Sequence, residues 1–199
     1  MTTPPELWLV RHGETEWSRA GRHTGRTDVP LTAQGELHAA ALAPRLRTLS
    51  FALVLASPLA RARRTAELAG YAGRVELDAD LVELDYGAYE GRTTAEIHAE
   101  RPGWDLWRDG CPGGETISAA AGRAERVLAR VRDAGGPALL VGHGHFSRVL
   151  TACALGCAPE LGRHLVLDPA AISHLGAERS TPAVRLWNDV GHLTRAGGA

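Results

Sequence analysis

The residues of this chain best suited to chemistry sit in glycine-flanked, basic clusters, Arg11-His12-Gly13-Glu14 and Gly142-His143-Gly144-His145. An imidazole beside a fixed cation can act as nucleophile, base or metal ligand. Arg61, shortly after Ser57-Pro58, adds a second guanidinium. Glu83 adds a carboxyl group from the acidic, aromatic stretch Glu83-Leu84-Asp85-Tyr86-Gly87-Ala88-Tyr89-Glu90-Gly91, in which Asp85 and Glu90 are its rivals. Two imidazoles, two guanidiniums and a helix N-terminus suit a small, doubly charged anion, for which phosphate is the commonest candidate. Without a metal, such a pocket must stabilise a transferring group with protein cations alone. Arg11 and Arg61 can do so bidentately, with His143 as a third cation when protonated. A neutral His12 can then attack phosphorus and carry the group as phosphohistidine. Glu83 can give a proton to the leaving alcohol and later take one from water.

These residues must be positioned by the elements that carry them. Leu7-Trp8-Leu9-Val10, Phe51–Ala56 and Ala138–Val141 are short apolar runs that read as strands, and a further short strand is expected around Arg74–Leu77. Their carboxyl ends lead into His12, Ser57 and His143, and ligands in open α/β sheets are held at such ends. Helical spacing runs from Thr32, as N-cap, to Leu49, with Pro44 expected to kink or split it. Further helices are expected over Leu59–Ala69, Thr94–Glu100, Ile117–Val131 and Phe146–Leu155, the third being strongly amphipathic. Ile172–Glu178 and Val184–Asn188 read as closing strands joined by a turn at Arg179–Pro182. Thr15–Pro30 reads as a long polar loop, and the tail from Asp189 as frayed. The strand–helix alternation predicts an α/β fold with a largely parallel sheet.

Composition narrows the partners. The net charge is −1 over 199 residues, which gives no electrostatic footprint for nucleic acid or an acidic membrane. All 22 basic residues are arginine, which excludes lysine Schiff bases and lysine-dependent phosphate loops. Cys111, Cys153 and Cys157 are too few and too oddly spaced for a disulfide framework or a zinc site, and read as buried thiols. Residues 1–6 lack the features of a signal peptide, and no apolar run reaches membrane-spanning length. The expectation is a cytoplasmic protein without cofactor or metal, and no His-x-x-x-His pair or carboxylate set accompanies His12 and His143.

Arg11-His12-Gly13-Glu14-Thr15 followed by Arg22-His23-Thr24-Gly25-Arg26-Thr27-Asp28 resembles the signature of the histidine phosphatase superfamily. Ser57-Pro58-Leu59-Ala60-Arg61-Ala62, Glu83 with Tyr86-Gly87, and Gly142-His143-Gly144 resemble its later motifs, in order. The resemblance implies one domain over 1–199, a three-layer α/β/α sandwich with a mostly parallel central sheet, as in phosphoglycerate mutases. It implies that His12 is phosphorylated, that Arg11, Arg61 and His143 complete the phosphate pocket, and that Glu83 donates the proton. Ser18, Thr24, Gly25, Glu115 and His145 would line the substrate side, and neither metal nor cofactor is needed. The variants Gly-Arg-His-Thr-Gly and Gly-His-Gly-His-Phe-Ser-Arg look most like actinobacterial acid-phosphatase-like members. The mutase pattern has Asn in place of Ser18, Lys in place of Thr94, and a long insertion where Arg92–Glu115 is short. Hydrolysis of a small phosphate ester, a sugar phosphate among the candidates, is therefore expected over phosphoglycerate mutation or a non-catalytic phosphate-binding regulatory module. The oligomeric state stays open, a homodimer included.

Overall fold

The computed structural model describes Pro4 and residues 6–193. Six strands form its sheet: β1 (Leu7–Arg11), β2 (Leu53–Ala56), β3 (Glu76–Leu77), β4 (Ala138–Gly142), β5 (Ile172–Glu178) and β6 (Thr181–Asp189). Their order is β3-β2-β4-β1-β5-β6. The first four run parallel, and β5 lies antiparallel to both β1 and β6, so the sheet is mixed with a parallel majority. Pro182 fits within β6 because that strand is an edge, where a missing N–H costs no ladder bond.

Eight α-helices cover the sheet among the described residues: α1 (Glu16–Arg19), α2 (Ala33–Ala40), α3 (Ala43–Leu46), α4 (Ala60–Ala66), α5 (Thr94–Glu100), α6 (Leu106–Asp109), α7 (Ile117–Asp133) and α8 (Gly144–Ala154). Alternation along each strand sends side chains to opposite faces. Leu7, Leu9, Leu55 and Leu140 meet α7 and α8 on one side. Val10, Val54, Leu139 and Val141 meet α3 and α4 on the other. The 3.6-residue spacing in α7 buries Ile117, Ala120, Ala124, Val127, Leu128 and Val131, and each of its Val and Leu side chains stabilises the fold by roughly 2 kcal/mol. Thr116 caps its first turn, accepting from Ala119 N–H.

Pro44 does split its helical stretch, into α2 and α3, and sits in the first turn of α3 where its missing N–H is harmless. Other expectations need correction. The supposed loop after Thr15 holds one helical turn, α1, closed by a reciprocal Thr15–Ser18 capping box. The helix after Ser57 widens over Glu67–Tyr71 and turns at Gly70, φ +96°. Asp189 is not frayed: it ends β6 and pairs with Arg45 at 2.6 Å, while residues 194–199 lie outside the described residues. Cys157 is not a buried thiol: it is exposed and lies past the end of α8. Among the described residues no helix is long and apolar enough to cross a membrane.

Candidate active site

Register explains how the two histidine motifs meet. Leu7 to Arg11 of β1 pair one for one with Ala138 to Gly142 of β4, and His12 N–H donates to the Gly142 carbonyl at 2.9 Å. His12 and His143 therefore leave adjacent strands at the same level, with ring centroids 5.2 Å apart. Gly13 is required there by close approach: a β-carbon would fall 2.4 Å from the Gly35 carbonyl oxygen at the start of α2. Strand β2 delivers Ser57 to the same edge through its N–H bond to Val141 O.

The strand ends open on a cleft of about 260 Å³, in which Arg11, His12 and Glu83 stand beside Ser18, Thr24 and His145. His12 is 3% exposed, and its Nδ1 is 2.7 Å from the Gly13 carbonyl oxygen. A carbonyl only accepts, so Nδ1 carries the proton and Nε2 keeps a free lone pair. Burial, then the charges of Arg11 and Arg61, hold this imidazole well below the ordinary histidine range. Arg11 donates Nη1 to Leu167 O, while its buried Nε has no partner among the described residues. An unpaired buried guanidinium N–H is costly unless a ligand meets it.

Glu83 is held at the N-terminus of α8. Its Oε1 accepts from Leu84 N–H and Phe146 N–H, and its Oε2 accepts from His145 N–H at 3.0 Å. Oε2 thus keeps a lone-pair position free. A β-carbon at Gly144 would lie 3.4 Å from the Arg11 guanidinium and 3.6 Å from Glu83 Oε2, so glycine keeps the floor between them open. The Gly144 N–H belongs to the first helical turn, which has no intrahelical acceptor.

Arg61 and His143 stand behind the cleft wall rather than on it, both fully buried. Arg61 donates Nε to His143 Nδ1 at 3.2 Å, and its Nη groups reach the carbonyls of Thr24, Gly25 and Thr27. His143 must accept at Nδ1, so its Nε2 donates to Ser57 Oγ at 2.8 Å. Burial and the neighbouring guanidinium push this imidazole well below the usual range, which corrects the expectation of a third cation.

Gly25 and Glu115 are corrected too. Gly25 faces the acidic loop, its N–H on Glu90, and a β-carbon there would meet Leu84 O at 2.4 Å. Glu115 is committed to Arg123 through two bonds of 2.8 and 2.7 Å, away from the cleft. The rivals of Glu83 are likewise engaged, Asp85 with Arg26 and Glu90 with the Gly25–Thr27 backbone. Sequence reasoning missed His23, Arg148 and Leu167 on the wall. His23 lay inside a quoted motif and Arg148 five residues after His143, yet neither spacing marks a side chain for the cleft. Among the described residues no group of three His, Cys, Asp or Glu side chains is arranged to hold a metal ion.

A parallel-majority sheet whose central strand ends in Arg-His, with a second histidine beside it and a carboxylate on a helix N-terminus, defines a phosphate-handling α/β enzyme. Residues 7–190 match the histidine phosphatase superfamily (branch 1), and the chain belongs to that family. Its class of activity is phosphoric monoester hydrolysis. It is 36% identical over 190 residues to an acid phosphatase of Mycobacterium tuberculosis, covering 94% of this chain and 93% of that protein. It is 34% identical over 203 residues to a probable phosphoglycerate mutase of Salmonella choleraesuis, covering 94% of each. The solved structure of an open reading frame product from Mycobacterium tuberculosis superposes with a TM-score of 0.87 at 35% identity, covering 92% of this chain and 97% of that one.

Proposed function

We propose that this chain is a metal-independent phosphomonoesterase, working as a single domain, that hydrolyses a small phosphorylated metabolite through a phosphohistidine on His12. The observation that carries the reading is the His12 Nδ1–Gly13 carbonyl bond, which leaves Nε2 as the lone-pair nitrogen of a ring held neutral. His12 Nε2 attacks phosphorus and the P–O bond to the alcohol breaks. Arg11, through its unpaired Nε, and the Gly144 N–H stabilise the charge on the transferring group. Glu83 Oε2 gives its proton to the leaving oxygen. Water then attacks phosphorus, returns a proton to Glu83, and the N–P bond breaks to release phosphate. Arg61 acts as a positioning residue, holding His143 and the Thr24–Thr27 backbone while its charge favours the neutral His12.

Phosphoglycerate mutation is the second reading, favoured by the Salmonella relative. The short Arg92–Glu115 segment and the absence of any lysine support water as the acceptor instead. The test is release of phosphate from an aryl phosphate in the presence of chelator, beside a coupled mutase assay with and without a bisphosphorylated primer. Phosphate release without metal is expected. Mutase turnover exceeding hydrolysis would overturn the assignment.

A further inference from the structure

The outer wall of the cleft holds a pair of side chains for which the phosphoryl chemistry has no use. Tyr86 and His145 both line the cleft, and the Tyr86 hydroxyl lies 2.7 Å from His145 Nδ1. Tyr86 is 2% exposed, and its hydroxyl meets no other partner among the described residues. A buried phenol must place its proton on an acceptor, and among the described residues the only one in reach is Nδ1. The proton of the neutral His145 ring is thereby assigned to Nε2, which has no protein partner among the described residues.

Resting on the phosphatase reading, we propose that His145 reads the leaving group: Tyr86 fixes it in the Nε2–H tautomer, and that N–H donates to a second oxygen of the substrate alcohol, beyond the ester oxygen. The placement supports this. His145 is the second residue of α8, its own N–H is anchored on Glu83 Oε2, and the imidazole is therefore tied to the group that would protonate the leaving oxygen. The ring is held in place by neighbours, with Trp107 at 5.8 Å and His23 at 6.1 Å between centroids. Burial and the Arg148 charge favour the neutral ring, consistent with a donor that is not a cation. A hydroxyl and a carboxylate oxygen satisfy the same N–H, so both belong to the class.

The experiment compares kcat/KM for n-propyl phosphate, glycerol phosphate and phosphoglycerate in the wild type, His145→Ala, His145→Gln and Tyr86→Phe. The wild type is expected to prefer an oxygen-bearing ester over propyl phosphate by about tenfold, the worth of one well-made hydrogen bond. His145→Ala should bring that ratio near one, and His145→Gln, which keeps an N–H donor, should restore part of it. Preference for glycerol phosphate marks a hydroxyl reader, and preference for phosphoglycerate a carboxylate reader. Imidazole nitrogen NMR supplies a readout that needs no turnover: the proton should sit on His145 Nε2 in the wild type and redistribute in Tyr86→Phe. An unchanged ratio in His145→Ala, or a proton on Nδ1 in the wild type, overturns the inference. A wild type that hydrolyses none of the esters, nor an aryl phosphate, sinks the phosphatase reading instead, and the tautomer measurement still decides this one.

Discussion

Arg61 Nε donates to His143 Nδ1 across 3.2 Å, and that bond turns the imidazole so that its other nitrogen meets Ser57. The guanidinium therefore serves two ends at once, with its Nη groups on the Thr24, Gly25 and Thr27 carbonyls. Replacing it with methionine leaves several buried acceptors unpaired, each worth about 1 kcal/mol or more. Arg61→Met is expected to lose about 3 kcal/mol of stability in denaturant unfolding and to reduce kcat/KM by on the order of 100-fold. A stable variant with near-normal turnover would remove Arg61 from its positioning role.

His12→Ala should abolish phosphoenzyme trapped from a labelled substrate and reduce turnover by about 1,000-fold or more, since the bond from His12 Nδ1 to the Gly13 carbonyl is what leaves its Nε2 lone pair free to attack phosphorus. Circular dichroism should show a folded chain. Residual phosphoenzyme would move the nucleophile elsewhere.

Activity should persist into acid. His12 is held well below its ordinary value of 6.5, so its nucleophilic form survives as pH drops through the usual histidine range. The acid limb of kcat/KM is expected below 6.5, and a limb at or above that value would contradict the neutral, desolvated imidazole. Stability moves the other way. His12, His143 and His145 all have folded values below their unfolded ones, so the unfolded chain binds more protons as pH falls beneath 6.5. Stability is full above that point and is lost progressively below it, which thermal melts at pH 7.5 and near 5 would record as a falling Tm.

Glu83→Gln should slow esters of poorly leaving alkyl alcohols by about 100-fold and nitrophenyl phosphate much less, because only the former need a proton in the transition state. Equal slowing for both would assign Glu83 to the framework of α8 rather than to proton transfer.

Glu115→Ala tests the corrected placement. Loss of a half-buried bidentate partner for Arg123 should destabilise the fold by about 1–2 kcal/mol while the ratio of kcat/KM between substrates stays fixed. A changed substrate preference would return Glu115 to the cleft.

The elements that carry the chemistry were legible because their signals are local. An apolar run ending at Arg11-His12 and another ending at Gly142-His143 predict two strand ends at one sheet edge, and the register of β1 with β4 places them there. Pro44 announced its own break. What escaped the sequence depends on partners far along the chain. Glu115 looks like a free acid until Arg123 folds back onto it, and His143 looks like a cation until Arg61 occupies its Nδ1. The single turns α1 and α6 are too short to show a 3.6-residue period. His23 and Arg148 reach the cleft from a loop and from the second turn of α8, and neither position carries a periodic mark.

The pairing of β1 with β4 also governs how the protein is made. The central strand leaves the ribosome as Leu7-Trp8-Leu9-Val10 before β4 and β5, its two flanking neighbours, are synthesised. Until the later segments arrive, that strand exposes two unpaired edges and apolar side chains on both faces, which is the condition under which nascent chains aggregate. Catalytic competence is then a late event, absent from any nascent chain that stops before α8. Slower synthesis at lower temperature, or a chaperone that shields the first strand, should raise the yield of active enzyme, and truncation before Gly142 should yield insoluble product.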